Sequence, residues 1–222
     1  MNVGGDEVPE DAWGKGSPIC AKLKKENGIK TTPEMQAYFL LKLQGILAKY
    51  KFKLAAWDEA AETDKLDKNT TIITSWSSVD AGKTVAAKGY KVVMAPANYL
   101  YFDLAYDSDV TEPGYYWAGY IDEKRIYSYI PTAKDMPKPI CNNIIGIQGC
   151  LWGDTLVHPR LSMREKFPAN YLDSPVEYMG LPKMTALSET AWTPDSKRSW
   201  KSFKKRLESN KKILENFDIA HR

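Results

Sequence analysis

The chain has 222 residues, 43% of them hydrophobic and 12% aromatic, enough apolar side chain for a sizeable core and too much for wholesale disorder. Its 31 basic and 28 acidic residues leave a net +3, too weak to build a nucleic-acid or membrane surface on charge alone. No apolar run reaches the roughly 18 residues of a membrane-spanning helix.

Only two histidines, His158 and His221, and three cysteines without a C-x-x-C pair are present. A metal site of clustered soft ligands is therefore not expected, and no cofactor is implied. Cys141 and Cys150 pair and leave Cys20 free, or all three are inert buried thiols; the sequence leaves both open. The start, Met1-Asn2-Val3-Gly4-Gly5, has neither the basic opening nor the apolar stretch of a signal peptide.

In chain order, residues 3–5 have the pattern of the end of a strand, followed by a loop rich in Gly, Pro and Lys. Thr31-Thr32-Pro33-Glu34 then gives a threonine cap, an early proline and a glutamate placed for a capping box, so a helix is expected to about Tyr50. Its apolar positions Met35, Tyr38, Phe39, Ile46 and Tyr50 recur at helical spacing, with Leu40, Leu41, Leu43 and Leu47 widening the stripe. Further strands are predicted at 52–57, 70–76, 90–95 and 144–152, and helices at 79–88, 176–190 and 199–217, the last with Phe203, Leu207, Ile213 and Leu214 on one face. Short apolar strands alternating with helices predict a parallel α/β sheet. Five strands ending in polar or aromatic residues match the C-terminal portion of a (β/α)8 TIM barrel, about five strands of eight, with the site on the carboxyl-terminal face.

Chemistry is concentrated at those strand ends. Gly4-Gly5-Asp6-Glu7 sets two adjacent carboxylates on a sharply turning backbone, and paired carboxylates in one cleft raise one pKa toward that of a general acid. Trp57 opens Trp57-Asp58-Glu59, Trp76 ends the next strand, Tyr101-Phe102-Asp103 follows another, and Leu151-Trp152-Gly153-Asp154 closes the last. A further loop carries Pro113-Gly114-Tyr115-Tyr116-Trp117. Flat aromatic faces with a few convergent polar groups suit a pyranose ring. Asp58 and Glu59 read equally well as structural or functional, and the Lys204-Lys205-Arg206 and Lys211-Lys212 clusters as a solvated helix face.

In this order, from residue 2 to residue 192, the motifs resemble the β-N-acetylhexosaminidases of glycoside hydrolase family 20, the chitobiases and lysosomal-type hexosaminidases. Tyr178-Met179, Leu181-Pro182-Lys183-Met184 and Ala191-Trp192 resemble that family's last barrel helix. The resemblance implies removal of terminal β-linked N-acetylglucosamine or N-acetylgalactosamine by a retaining mechanism in which the substrate's own acetamido group is the nucleophile. It makes Glu7 the general acid and base, Asp6 the partner of the acetamido N–H, and Tyr101 a donor to the attacking carbonyl oxygen. Trp57, Trp76 and Trp152 would box the acetyl methyl and the ring, Asp103 and Asp154 would accept from outer hydroxyls, and Trp117 would stack on the next sugar. Asp154 stands where members often carry glutamate, and Asn2 where the motif usually has histidine.

The resemblance begins at about the fourth barrel strand, so residues 1–222 are expected to be the C-terminal part of the catalytic barrel. The first strands, their sugar-gripping arginine and any N-terminal domain would lie outside it. An open half-barrel is expected to need its other half or to self-associate, and to be inactive or nearly so alone. The alternative is a non-catalytic carbohydrate-binding or structural half-barrel. Partners are β-linked N-acetylhexosaminides, such as chitooligosaccharides or glycoconjugate glycans, with no nucleic acid and no membrane span. The family expectation for location is periplasmic, extracellular or lysosomal.

Overall fold

The computed structural model describes residues 1–14, 16–154 and 166–222. In chain order these form α1 (Pro18–Asn27), α2 (Thr32–Lys49), β1 (Leu54–Trp57), β2 (Thr71–Ser75), α3 (Val79–Ala87), β3 (Lys91–Met94), α4 (Ala97–Leu100), α5 (Glu123–Tyr127), α6 (Lys138–Cys141), β4 (Ile144–Ile147), α7 (Ala169–Asp173), α8 (Pro175–Gly180), α9 (Lys183–Trp192) and α10 (Trp200–Asn216). The chain divides into two compact units. Unit 1 is Met1–Met94 with Lys134–Ile145, and unit 2 is Ala95–Ala133 with Gly146–Arg222.

Unit 1 is built on the sheet, whose strand order is β1-β2-β3-β4. β1 and β2 run parallel with Ala56 opposite Ile73, and β2 and β3 with Thr74 opposite Val93. Leu54, Ala56, Ile73, Val92 and Met94 are wholly buried and share one face by register, whereas Ala55, Ile72 and Val93 on the other face are half-buried. The expected first strand is present only as a parallel bridge between Asn2 and Ala55. Val3 N–H donates to the Ala55 carbonyl at 2.9 Å and Trp57 N–H to Gly4 at 3.0 Å, after which positive φ values at Gly4 and Gly5 turn the chain out of the ladder.

Helix α2 starts with the expected capping box between Thr31 and Glu34, but its buried face differs from the expected stripe. Met35, Gln36, Ala37, Leu40, Gln44 and Leu47 are buried, whereas Phe39, Ile46 and Tyr50 are exposed. Two glutamines occupy the inward line because each hydrogen-bonds the backbone packed against the helix. Gln44 alone reaches the Asp67 carbonyl, Thr70 Oγ1 and Thr71 Oγ1, and accepts from Asp67 N–H. Helix α1 lies where a loop was expected. Ser17 caps it, Pro18 opens it and Gly28 closes it in the left-handed conformation. It buries no residue, so it has no apolar stripe to read.

In unit 2 the expected helix 176–190 is two helices, α8 and α9, meeting at Leu181-Pro182. Proline lacks the N–H that would continue the helical ladder. The core gathers Tyr106, Tyr171, Tyr178 and Met179, with the tyrosine rings edge-to-face at 6.0 and 5.5 Å. Helix α10 buries Phe203 and Leu207, Phe203 stacking on Tyr127 at 4.9 Å. Ile213, expected on that face, is exposed. Lys204, Lys205 and Lys212 face solvent as expected, but Lys211 pairs with Glu123 at 3.6 Å. The expected last strand, 144–152, ends as regular strand at Ile147; beyond it Cys150 makes a parallel bridge to Tyr101. All three cysteines are free thiols. His158 lies outside the described residues.

Candidate active site

The predicted site residues fall in two groups, one in each unit. In unit 1 the turn carrying Asp6 and Glu7 is held at three points. Asn2 Oδ1 accepts from Gly4 N–H at 2.9 Å, so the residue that departs from the family pattern still caps the turn. Gln36 Nε2 donates to the Gly5 carbonyl at 2.6 Å. Glu7 N–H donates to Glu59 Oε1 at 3.4 Å. Glu7 itself sits at φ 49°, a left-handed conformation that costs a non-glycine residue about 1 kcal/mol or more and persists only where surrounding contacts impose it. Asp6 is half-buried and Glu7 exposed.

Trp57-Asp58-Glu59 divides its work. Trp57 is buried at the end of β1. Asp58 is also buried and accepts from Ser75 Oγ at 2.9 Å, Ser77 Oγ at 2.5 Å and the Trp76 and Ser77 N–H groups, tying the end of β1 to the end of β2. Glu59 reaches the ring of the same tryptophan, and both its oxygens accept from Trp76 Nε1 at 3.2 Å. Partial burial, with Asp58 adding to it, pushes the Glu59 carboxyl above the ordinary range, while the Trp76 and Glu7 donors pull it down.

In unit 2 the Tyr101 ring is buried between two indoles. Trp117 meets it edge-on at 5.9 Å and Trp152 lies tilted at 6.1 Å; these two rings are 57% and 42% exposed. A buried tyrosine flanked by two partly exposed indoles is an amphipathic surface of the kind a sugar ring suits. Next to it Asp103 is 2% exposed, and its Oδ1 is buried without a hydrogen-bond partner among the described residues. Burial pushes its carboxyl up to about 6, against the opposing pull of its own and the Trp152 backbone N–H and of Lys183. Asp154 is exposed, and its hydrogen bond with the Tyr115 hydroxyl holds that phenol's pKa up.

The loop bearing Trp117 is anchored on the same segment. Tyr115 N–H donates to the Asp103 carbonyl at 3.0 Å, and Ala105 N–H to the Tyr115 carbonyl at 2.7 Å. A Cβ on Gly114, at φ 114°, would lie 2.7 Å from Ala105 N, so only glycine lets the two segments approach this closely. The residues not singled out from sequence are Gln36, Tyr115 and Lys183. Tyr115 and Lys183 lie inside motifs read there, whereas Gln36 sits on a helix face where apolar periodicity gives no signal. Among the described residues no group of three or more His, Cys, Asp or Glu forms a metal-binding cluster, and no helix is long and apolar enough to cross a membrane.

Residues 1–195 match the model for the glycosyl hydrolase family 20 catalytic domain. A β-hexosaminidase of Porphyromonas gingivalis is 30% identical over 210 residues, 94% of this chain and 25% of that protein. The N,N'-diacetylchitobiase of Vibrio harveyi is 22% identical over 79% of this chain and 21% of its own length. Among solved structures, a family 20 exo-β-N-acetylglucosaminidase of Vibrio harveyi, in complex with N-acetylglucosamine, superposes with a TM-score of 0.84 at 31% identity, covering 100% of this chain and 32% of that one. The chain thus spans about a quarter of the length of the curated relatives it matches. Its α/β fold is that of their barrel-type catalytic domains. On these matches the chain belongs to glycosyl hydrolase family 20, within its catalytic domain.

Proposed function

We propose that this chain carries the catalytic acid and much of the sugar grip of a β-N-acetylhexosaminidase, which releases terminal β-linked N-acetylglucosamine or N-acetylgalactosamine from chitooligosaccharides or glycoconjugate glycans. The observation that supports this most is the Asp6–Glu7 turn, in which a strained acidic residue is held by Gln36 and Glu59 beside the Trp76 indole. A solvated surface turn has no need of such restraint.

In this reading the acetamido carbonyl oxygen attacks the anomeric carbon while the Glu7 carboxyl gives its proton to the leaving glycosidic oxygen. The carbon–oxygen bond to the aglycone breaks as the oxazolinium ring closes. Asp6 accepts from the acetamido N–H and offsets the positive charge that develops there, and Tyr101 donates its hydroxyl to the attacking oxygen. Water then opens the ring at the anomeric carbon and gives its proton back to Glu7. Holding the nucleophile within the substrate supplies near-attack geometry without a second encounter. Trp57, Trp76 and Trp152 enclose the acetyl group and ring, Trp117 takes the next sugar, and Asp103 and Asp154 accept from outer hydroxyls. The buried, unpartnered Asp103 Oδ1 is the acceptor best prepared for that task.

Residues 1–222 serve as the C-terminal part of a (β/α)8 barrel. Among the described residues the sheet has four strands, where eight close such a barrel; in this reading the chain alone turns over little and self-associates or pairs with further strands. Release of nitrophenol from nitrophenyl N-acetyl-β-glucosaminide is measured on this chain and on the full-length protein, each beside Glu7→Gln. Full-length activity that survives Glu7→Gln would refute the acid assignment. Failure of an oxazoline-mimicking thiazoline to bind the active protein would refute the substrate-assisted route. Binding without turnover in every form would leave a non-catalytic sugar-binding module, the reading favoured by the exposed Trp117 and Trp152 faces alone.

A further inference from the structure

Lys183, the first residue of α9, has no exposed surface. A buried amine is costly unless its hydrogens are taken up, and an apolar side chain of similar size often serves a core as well or better. Here Nζ donates to the Phe102 carbonyl at 2.8 Å and to the Leu104 carbonyl at 2.6 Å, and lies 3.8 Å from the centre of the Tyr106 ring. Those carbonyls belong to the residues on either side of Asp103.

The remaining backbone groups of that segment are already committed. Phe102 N–H donates to Cys150, the Asp103 carbonyl accepts from Tyr115, and Ala105 N–H donates to Tyr115. Tyr115 thus secures one side of the segment. The alternate carbonyls, Phe102 and Leu104, need donors from elsewhere, and one lysine supplies both. We propose that Lys183 is a positioning residue for sugar binding, which aims the Asp103 carboxylate by clamping the peptides before and after it.

The proposal rests on the reading of Asp103 as a hydroxyl acceptor. Glu112, Asp103, Glu123 and Arg222 are the charged groups that act on the lysine, and burial pulls its own pKa down to about 7. Charged or neutral, the amine keeps two hydrogens to donate, so the clamp does not depend on its protonation state.

The test compares Lys183→Met and Lys183→Gln in the full-length protein with Asp103→Asn and with each double variant, reading KM for the nitrophenyl substrate, thiazoline affinity and the thermal midpoint. Lys183→Met is expected to raise KM and weaken thiazoline binding about tenfold or more, the scale of a misplaced contact, with kcat changed less. Lys183→Gln, which keeps an amide donor, recovers part of that loss. In the Asp103→Asn background the lysine substitutions change affinity less than about twofold, because the carboxylate they aim is already gone. A purely structural lysine would lower the midpoint and weaken binding equally in both backgrounds, and that result, or an unchanged affinity in both lysine variants, overturns the proposal. If neither lysine variant folds, the clamp is a folding requirement and the proposal falls. Activity surviving in Glu7→Gln would sink the acid assignment alone, since the lysine comparison is read as affinity.

Discussion

The carboxylate of Glu59 accepts the indole N–H of Trp76 with both oxygens at 3.2 Å. The same group accepts the backbone N–H of Glu7 at 3.4 Å. One acid therefore couples a ring expected under the sugar to the peptide of the expected proton donor, at the residue whose backbone is left-handed. Glu59→Ala in the full-length protein is expected to lower kcat by on the order of 10²-fold, the cost of misplacing a reacting group by about 1 Å. Glu59→Gln, which keeps an acceptor oxygen, should lose distinctly less. Steady-state kinetics on the two variants decide it, and equal kcat in wild type and Glu59→Ala would show that the contact positions nothing.

Asp103 makes stability depend on pH in a defined direction. Burial raises its carboxyl from 3.8 to about 6. Between those values the folded chain holds a proton that the unfolded chain has released. Stability therefore falls as pH rises from about 4 to about 6, and the loss persists above that. That difference corresponds to about 3 kcal/mol at most. Asp103→Asn removes this dependence, so its advantage over wild type in urea unfolding should grow from pH 4 to pH 7. Parallel curves for the two proteins across that range would contradict this.

The legibility of this molecule follows the physics of each element. β2 and β3 were readable because Thr71, Ile72, Ile73, Val92 and Val93 are β-branched residues in short apolar runs. α1 was not, because it buries nothing and shows itself only in its caps. α2 starts as expected and buries Met35, Leu40 and Leu47 of the expected stripe, but Gln36 and Gln44 share that inward line for hydrogen bonding and no hydrophobic pattern records that. The acidic pair and the aromatic strand ends were legible as motifs. The separation of Asp58, which ties two strand ends, from Glu59, which reaches Glu7, needed coordinates, because adjacent acids in sequence do not reveal which way each one faces.

Gln36 offers a check on the other side of the acidic turn. Its amide is the side-chain donor to the Gly5 carbonyl, at 2.6 Å. Gln36→Leu keeps the packing of the buried helix face and strands that carbonyl, so a loss of about 1–3 kcal/mol is expected in denaturant unfolding. Activity should fall by more than the unfolded fraction explains, since the Gly5 peptide leads directly into Asp6. A variant as stable and as active as wild type would mean that the turn holds its shape without this bond.

Gly114 and Gly119 form a matched pair for testing the loop that carries Trp117. Both have positive φ, 114° and 97°. A Cβ at Gly119 would meet nothing within 4 Å, whereas at Gly114 it would lie 2.7 Å from Ala105 N and 2.8 Å from the Asp103 carbonyl oxygen. Gly119→Ala thus adds conformational strain alone, about 1 kcal/mol. Gly114→Ala adds the same strain plus a collision with backbone that cannot rotate away, and it pushes apart the Tyr115 and Asp103 segments. It should cost at least about 2 kcal/mol more in thermal unfolding and should weaken thiazoline binding, which Gly119→Ala should leave nearly intact. Equal stability and affinity for the two variants would mean that the loop yields at Gly114, and that Tyr115 does not hold Asp103 in place.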